Sequence, residues 1–201
     1  MEAIEEKPKV KVLCWTAKGG VGKSSIALAL SQVLDLQIVT NDKMNAYNLV
    51  LKPEQYYLVP DGQEIPYFED ESLIYDFGGF GDSRILDFIK KDKELVILIP
   101  FNPDLASWQA ALAVYAEIKA YNSNIFFVLN RAKKGDGDVF KQQMKKQKIN
   151  KPLFELPESK LFQNLFNKGA KISDVKSSKL LSYTYKRVLD QLNELIKELE
   201  R

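Results

Sequence analysis

The 201-residue sequence predicts an α/β fold: one domain, built on a mostly parallel, twisted sheet with helices on both faces. Three observations predict it. Short runs rich in Val, Ile and Leu recur along the chain, and they are near-continuous rather than alternating, as in strands buried on both faces. Segments with apolar residues at helical spacing lie between those runs, the order that builds a parallel sheet through crossover connections. Glycine, proline, asparagine or aspartate closes most of the runs.

The elements follow in order. After a charged arm over residues 1–9, Val10 to Thr16 (VKVLCWT) reads as a buried strand. Gly22 to Leu34 is a helix on the spacing of Ile26, Leu28, Leu30, Val33 and Leu34, and Leu36 to Thr40 is a second strand. Residues 41–71 are polar and punctuated by proline, with YYLV and IPYF as possible strand pieces. Ser72 to Asp76 is a strand that ends on a carboxylate, and FGGFGD after it is a glycine turn. Ile85 to Ile89 starts a helix, Leu95 to Ile99 is a strand, Leu105 to Tyr121 is a helix, and Ile125 to Leu129 is a further strand. A polar segment leads to a terminal helix over residues 179–200. Its apolar positions Leu181, Tyr185, Val188, Leu192, Leu195 and Leu199 alternate in steps of four and three, a seam expected to pack on the body. No repeat, low-complexity tract or long linker divides the chain, so residues 1–201 are read as one domain.

Composition narrows the chemistry. Apolar residues make up 45% and charged residues 28%, enough for a real core, and a net charge of +2 gives no global pull toward nucleic acid. Cys14 is the one cysteine and there is no histidine, which excludes disulfides, Cys/His zinc sites and imidazole acid–base catalysis. The charged start carries no secretory signal and no apolar run is long enough to span a bilayer, so a cytoplasmic protein is expected.

The sharpest signal is Ala17-Lys18-Gly19-Gly20-Val21-Gly22-Lys23-Ser24-Ser25, set between a predicted strand and a predicted helix. Glycines let successive backbone N–H groups aim at one anion with no Cβ in the way. The helix N-terminus adds its dipole, a lysine reaches the outer phosphates, and a hydroxyl serves Mg²⁺. Asp76, at the end of its strand, is the natural second ligand to such a metal; the alternative is a capping or turn aspartate. The letters Asp-Phe-Gly at 76–78 also spell a kinase motif, but a chain without histidine has no kinase catalytic loop.

The run KGGVGKS, with alanine at position 17, resembles the deviant P-loop of the ParA/MinD family of ATPases, most closely the small plasmid-partition ParA proteins. The resemblance implies a P-loop NTPase fold with ATP and Mg²⁺ as cofactors. Gly19, Gly20, Val21, Gly22, Lys23, Ser24 and Ser25 would hold the nucleotide, with Lys23 as the ordinary P-loop lysine and Ser24 and Asp76 at the metal. Lys18 would cross a dimer interface to the partner's nucleotide, where it offsets two facing triphosphates; a solvated loop lysine is the alternative. The family has an Asp-x-Asp pair after its second strand. Here Thr40 replaces the first aspartate and Asp42 keeps the second, which would position the attacking water unless it is an ordinary turn residue. Asn130 matches a strand-end asparagine that reads adenine, or it is a turn former. Pro157, in Leu156-Pro157-Glu158-Ser159, matches a loop that packs on the base.

Function follows as an expectation of that resemblance: slow ATP hydrolysis, a homodimer formed on ATP, nonspecific DNA binding, and a small, separately encoded centromere-binding partner. With few residues ahead of the P-loop strand in this sequence, an additional DNA-reading domain is not expected. Lys133, Lys134, Lys141, Lys145, Lys146, Lys148 and Lys151 form a basic cluster that either meets phosphates or is a solvated face. A membrane-associated, MinD-like positioning role is a rival, disfavoured by the acidic residues mixed into the terminal helix. A dethiobiotin-synthetase-like ligase and a switch without useful hydrolysis are the others. The lone Cys14 excludes a nitrogenase-type iron protein.

Overall fold

In the computed structural model, residues 9–78 and 83–201 are described. Most of the charged arm, and residues 79–82 of the expected glycine turn, lie outside them. The elements are β1 (Lys11–Trp15), α1 (Lys23–Leu34), β2 (Gln37–Thr40), β3 (Tyr56–Leu58), β4 (Leu73–Phe77) and α2 (Ser83–Lys91). There follow β5 (Val96–Phe101), α3 (Leu105–Ile118), β6 (Ile125–Ala132), α4 (Asp136–Lys146), β7 (Leu153–Pro157), α5 (Lys160–Asn167), α6 (Ile172–Ser177), α7 (Lys179–Thr184) and α8 (Lys186–Leu199). Among the described residues the strands form one seven-stranded sheet in the order β3-β2-β4-β1-β5-β6-β7, with every pairing parallel.

Strict alternation along β1 explains why both faces are dry. Val12 and Cys14 join a core with α1, α5 and α8, including Ile26, Leu30, Leu165 and Leu192. Leu13 and Trp15 face the other way, into a core with Phe88 of α2, Trp108 of α3 and Phe140 of α4. Each fully buried aliphatic or aromatic side chain contributes roughly 1.5–3 kcal/mol relative to exposure, so the two layers anchor the sheet from both sides. The order of strands also fixes the site. β4 and β5 flank β1 on opposite sides, so the crevice where the chain direction diverges opens at the C-terminal end of β1.

The structure departs from the sequence reading in four places. IPYF at 65–68 is not a strand: Pro66 lacks a ladder N–H, and Ile65 and Phe68 only pack against the second core from a loop. The polar segment after β6 contains helix α4, whose buried face has only Gly137, Phe140 and Met144, too narrow a stripe to show among charged residues. Its acidic first turn and basic last turn complement the helix dipole instead. Strand β7 and helices α5 and α6, in the same stretch, are further elements that the reading lacked. The terminal helix is interrupted at Tyr185, so α7 and α8 are separate helices. Val188, Leu192, Leu195 and Leu199 are buried as the seam predicts, but Leu181 is 39% exposed and does not pack on the body.

Candidate functional site

The loop between β1 and α1 wraps a cavity of about 420 Å³, lined by residues 16–25 together with Asp42, Gly78 and Arg131. Two glycines give the loop its shape. Gly20 has φ +76 and Gly22 has φ +88, both in the left-handed region that L side chains avoid. At Gly22 there is a second constraint: a Cβ would stand 2.1 Å from Asn130 Nδ2. Gly22 is also the N-cap of α1, so the helix begins at Lys23 with its unpaired N–H groups at the cavity.

Each candidate residue has a definite place. Lys23 Nζ lies 2.8 Å from Asp76 Oδ1; the lysine is largely buried and the carboxylate wholly so. Asp76 sits in β4 opposite Cys14 of β1, which puts a carboxylate beside the loop lysine. Burial, with the Asp76 carboxylate next, pushes the Cys14 thiol far above its ordinary range, so it is an inert core thiol. Lys18 stands at the mouth of the cavity, half-exposed, 2.9 Å from Asp104 Oδ1. Asp104 is the N-cap of α3, accepting from the Ser107 N–H, and Lys18 holds its carboxyl below the usual range. Asp42 lines the cavity, half-buried; its Oδ1 accepts the Met44 N–H, and its own N–H donates to Thr40 Oγ1. Thr40, where the aspartate of the pair is missing, therefore shapes the turn that carries Asp42.

Asn130 is brought to the loop from β6. Its Nδ2 donates to the Val21 carbonyl at 2.8 Å and its Oδ1 accepts the Arg131 N–H at 3.0 Å. Pro157 ends β7 opposite Ala132, two residues past Asn130, and is buried. Gly19 is exposed, and Ser24 and Ser25 are half-buried on the cavity wall.

The sequence reading missed four residues. Arg131 lines the cavity from a left-handed conformation, φ +55, at an irregularity in the β6–β7 pairing. Thr16 lines it from the end of β1. Asp104 binds Lys18. Tyr47, wholly buried, donates its phenol to Asp76 Oδ2 at 2.7 Å. Arg131 directly follows the strand-end Asn130, and that adjacency was a usable signal; the partners of Asp104 and Tyr47 lie 86 and 29 residues away, and nothing in the spacing reveals them.

The cavity thus combines a helix N-terminus, three cationic side chains and a nest of backbone amides, which suits a polyphosphate. The donor set near Ser24 and Asp76 is hard oxygen. Among the described residues no group of three or more His, Cys, Asp and Glu is assembled to cage an ion by itself. That fits Mg²⁺, which takes one or two protein oxygens and fills its shell with phosphate and water. The same residues would not suit a soft metal.

No protein-family model and no curated protein sequence matches the chain. Solved structures do. Apo McdA of Cyanothece aligns at 12% identity and TM-score 0.63, over 92% of this chain and 100% of that one. A protein of Borrelia burgdorferi described as a plasmid partition protein, bound to AMPPNP, aligns at 14% identity and TM-score 0.60, over 94% and 99%. The cell division ATPase MinD of Pyrococcus furiosus aligns at 15% identity and TM-score 0.61, over 96% and 100%. The chain has the fold of the ParA/MinD-type P-loop ATPases.

Proposed function

We propose that this protein is an ATPase of the ParA type that binds ATP with Mg²⁺, closes with a second copy around the nucleotide, and in that state holds duplex DNA nonspecifically during DNA segregation. The observation that carries the reading is the site itself: a glycine loop opening α1, with Lys18 and Lys23 on the cavity and Asp76 at the adjoining strand. Triphosphate oxygens would draw Lys23 from Asp76 and Lys18 from Asp104, because both lysines are held by single carboxylates that phosphate can outcompete. Ser24 and Asp76 would hold Mg²⁺, which neutralises charge on the β- and γ-phosphates. Asp42 would orient the attacking water, and Lys18, once free, is long enough to serve a partner's nucleotide. Asn130 and Pro157 would meet the base.

DNA rather than membrane is favoured by two surface features. Lys133 and Lys134 ahead of α4 and Lys145, Lys146 and Lys148 at its C-terminal end are all exposed, cations that would meet DNA phosphates. Helix α8 commits its apolar side to the core, so it is not an amphipathic helix available to a bilayer. No helix among the described residues is long and apolar enough to cross a membrane. A MinD-like positioning role is the second reading, because the Pyrococcus MinD structure superposes as well as the partition protein does. A small DNA-bound partner protein that stimulates hydrolysis, and a location on the nucleoid within the cytoplasm, complete the proposal.

The test is sedimentation of the protein with ADP and with ATP, each with Mg²⁺, followed by co-sedimentation with plasmid DNA and with anionic vesicles. ATP-dependent dimers that pellet with DNA in a salt-sensitive way support partition. Pelleting with vesicles alone moves the assignment to the positioning class. A protein that stays monomeric with ATP and Mg²⁺ when hydrolysis is blocked refutes the dimer.

A further inference from the structure

Asp76 is gripped at both oxygens. Lys23 holds Oδ1 at 2.8 Å, and Tyr47 holds Oδ2 at 2.7 Å. The Lys23 grip must be released if phosphates are to take that lysine; the Tyr47 grip need not be. The phenol is fully buried, and its O–H donates to the Asp76 carboxylate within the protein interior. The Ser24 carbonyl, 3.3 Å away, is the more distant of the two acceptors within reach and belongs to the residue that would hold the cation in the reading above.

Tyr47 is itself held by the turn that presents Asp42. The Asp42 carbonyl accepts the Asn45 N–H at 3.1 Å and the Asn45 side-chain amide at 2.5 Å, and Asn45 Oδ1 accepts the Tyr47 N–H at 3.0 Å. The ring then packs on Phe166 of α5, with centroids 5.7 Å apart, and on Tyr56 of β3 at 6.2 Å. One short path of hydrogen bonds therefore runs from Asp42 through Asn45 and Tyr47 to Asp76 in β4, beside the reciprocal pair of hydrogen bonds between Asn41 and Gly78.

We propose that Tyr47 is a positioning residue for the Mg²⁺ site: its phenol pins one oxygen of Asp76 so that the other faces the cation, and it ties that carboxylate to the Asp42 turn. The inference rests on the nucleotide-and-Mg²⁺ reading above. A carboxylate held on one side cannot rotate when Lys23 leaves, so it meets the metal shell already oriented. Partners one shell out from a metal commonly govern its affinity by about 10–100-fold.

The experiment uses the full chain and a fluorescent AMPPNP analogue, titrated at equilibrium with Mg²⁺ after EDTA treatment. Tyr47→Phe keeps the ring and removes only the donor. The half-saturating Mg²⁺ concentration should rise by about tenfold, while analogue affinity in EDTA stays within about threefold of wild type. Asn45→Ala, which frees the Tyr47 backbone and leaves the phenol in place, should shift Mg²⁺ dependence in the same direction by less. It also serves if Tyr47→Phe does not fold. A phenol that merely satisfied its own burial would change thermal stability and leave the Mg²⁺ titration where it was; that outcome overturns the proposal. If the wild-type protein binds the analogue but without any response to Mg²⁺, or does not bind it, the parent reading fails first and takes this one with it.

Discussion

Replacing Gly22 with alanine tests the loop geometry, because two separable penalties meet there. The backbone at φ +88 and ψ 18 costs an L-residue about 1–2 kcal/mol. The added Cβ also lands 2.1 Å from Asn130 Nδ2, so the amide must leave the Val21 carbonyl it now bonds at 2.8 Å. Stranding those buried groups costs about 1–3 kcal/mol. Gly22→Ala should therefore destabilise the domain by roughly 2–5 kcal/mol, a melting shift of about 4–20 °C at roughly 2–4 °C per kcal/mol for a chain of this size. Gly20→Ala is the internal control. Its φ of +76 is similar, but its Cβ would meet nothing within 4 Å. Both variants gain the same small unfolded-state entropy term, so it cancels in their difference. Urea unfolding should place Gly22→Ala below Gly20→Ala by about 1–3 kcal/mol. In the double variant Gly22→Ala with Asn130→Ala the clash vanishes and the two losses should be strongly less than additive. Equal stabilities for the two glycine variants, or an additive double, would refute the claim that Asn130 braces the loop from beneath.

Other consequences follow from named contacts. Asp104→Ala removes the carboxylate that holds Lys18 at 2.9 Å, so ATP-dependent dimers should form at lower protein concentration in sedimentation velocity; Lys18→Ala should abolish them. The Lys11–Asp92 pair is buried, with side chains 8% and 5% exposed at 3.3 Å, so Asp92→Ala leaves the ammonium with only the Tyr67 ring face, strips the Glu94 and Leu95 N–H groups of their acceptor, and should lower unfolding free energy by about 3–5 kcal/mol in denaturant titration. A loss below about 1 kcal/mol would mean the pair is solvated in solution. Cys14 is fully buried, so a thiol reagent such as an aromatic disulfide should react only as fast as the domain opens, and any nucleotide that stabilises the fold should slow it.

Much of this molecule is written locally. The strands β1, β4, β5 and β6 and helices α1 and α3 carry their own signals, because burial on both faces demands unbroken apolar runs and the loops between them need glycine, proline and short polar residues. The glycine loop is legible for the same reason: its glycines, lysines and hydroxyls stand together at residues 17–25, although its brace, Asn130, comes from β6. Helix α4 is not, since its buried stripe is too narrow to stand out, and β7 is a short strand whose place depends on β6 beside it. The break at Tyr185 is equally silent, because a heptad-like spacing runs through it.

The amino-acid sequence by itself determined the class of fold, the glycine loop and the exclusion of imidazole catalysis, disulfides and Cys/His zinc sites, all of which depend on residue type and near neighbours. Tertiary structure alone decided which side chain holds which: Asp104 on Lys18, Tyr47 and Lys23 on Asp76, Asn130 under Gly22. Those pairings are set by the order of parallel strands, which brings the ends of β1, β4 and β6 to one edge of the sheet across long stretches of chain. Contact between distant residues is a property of that order, and sequence spacing does not encode it.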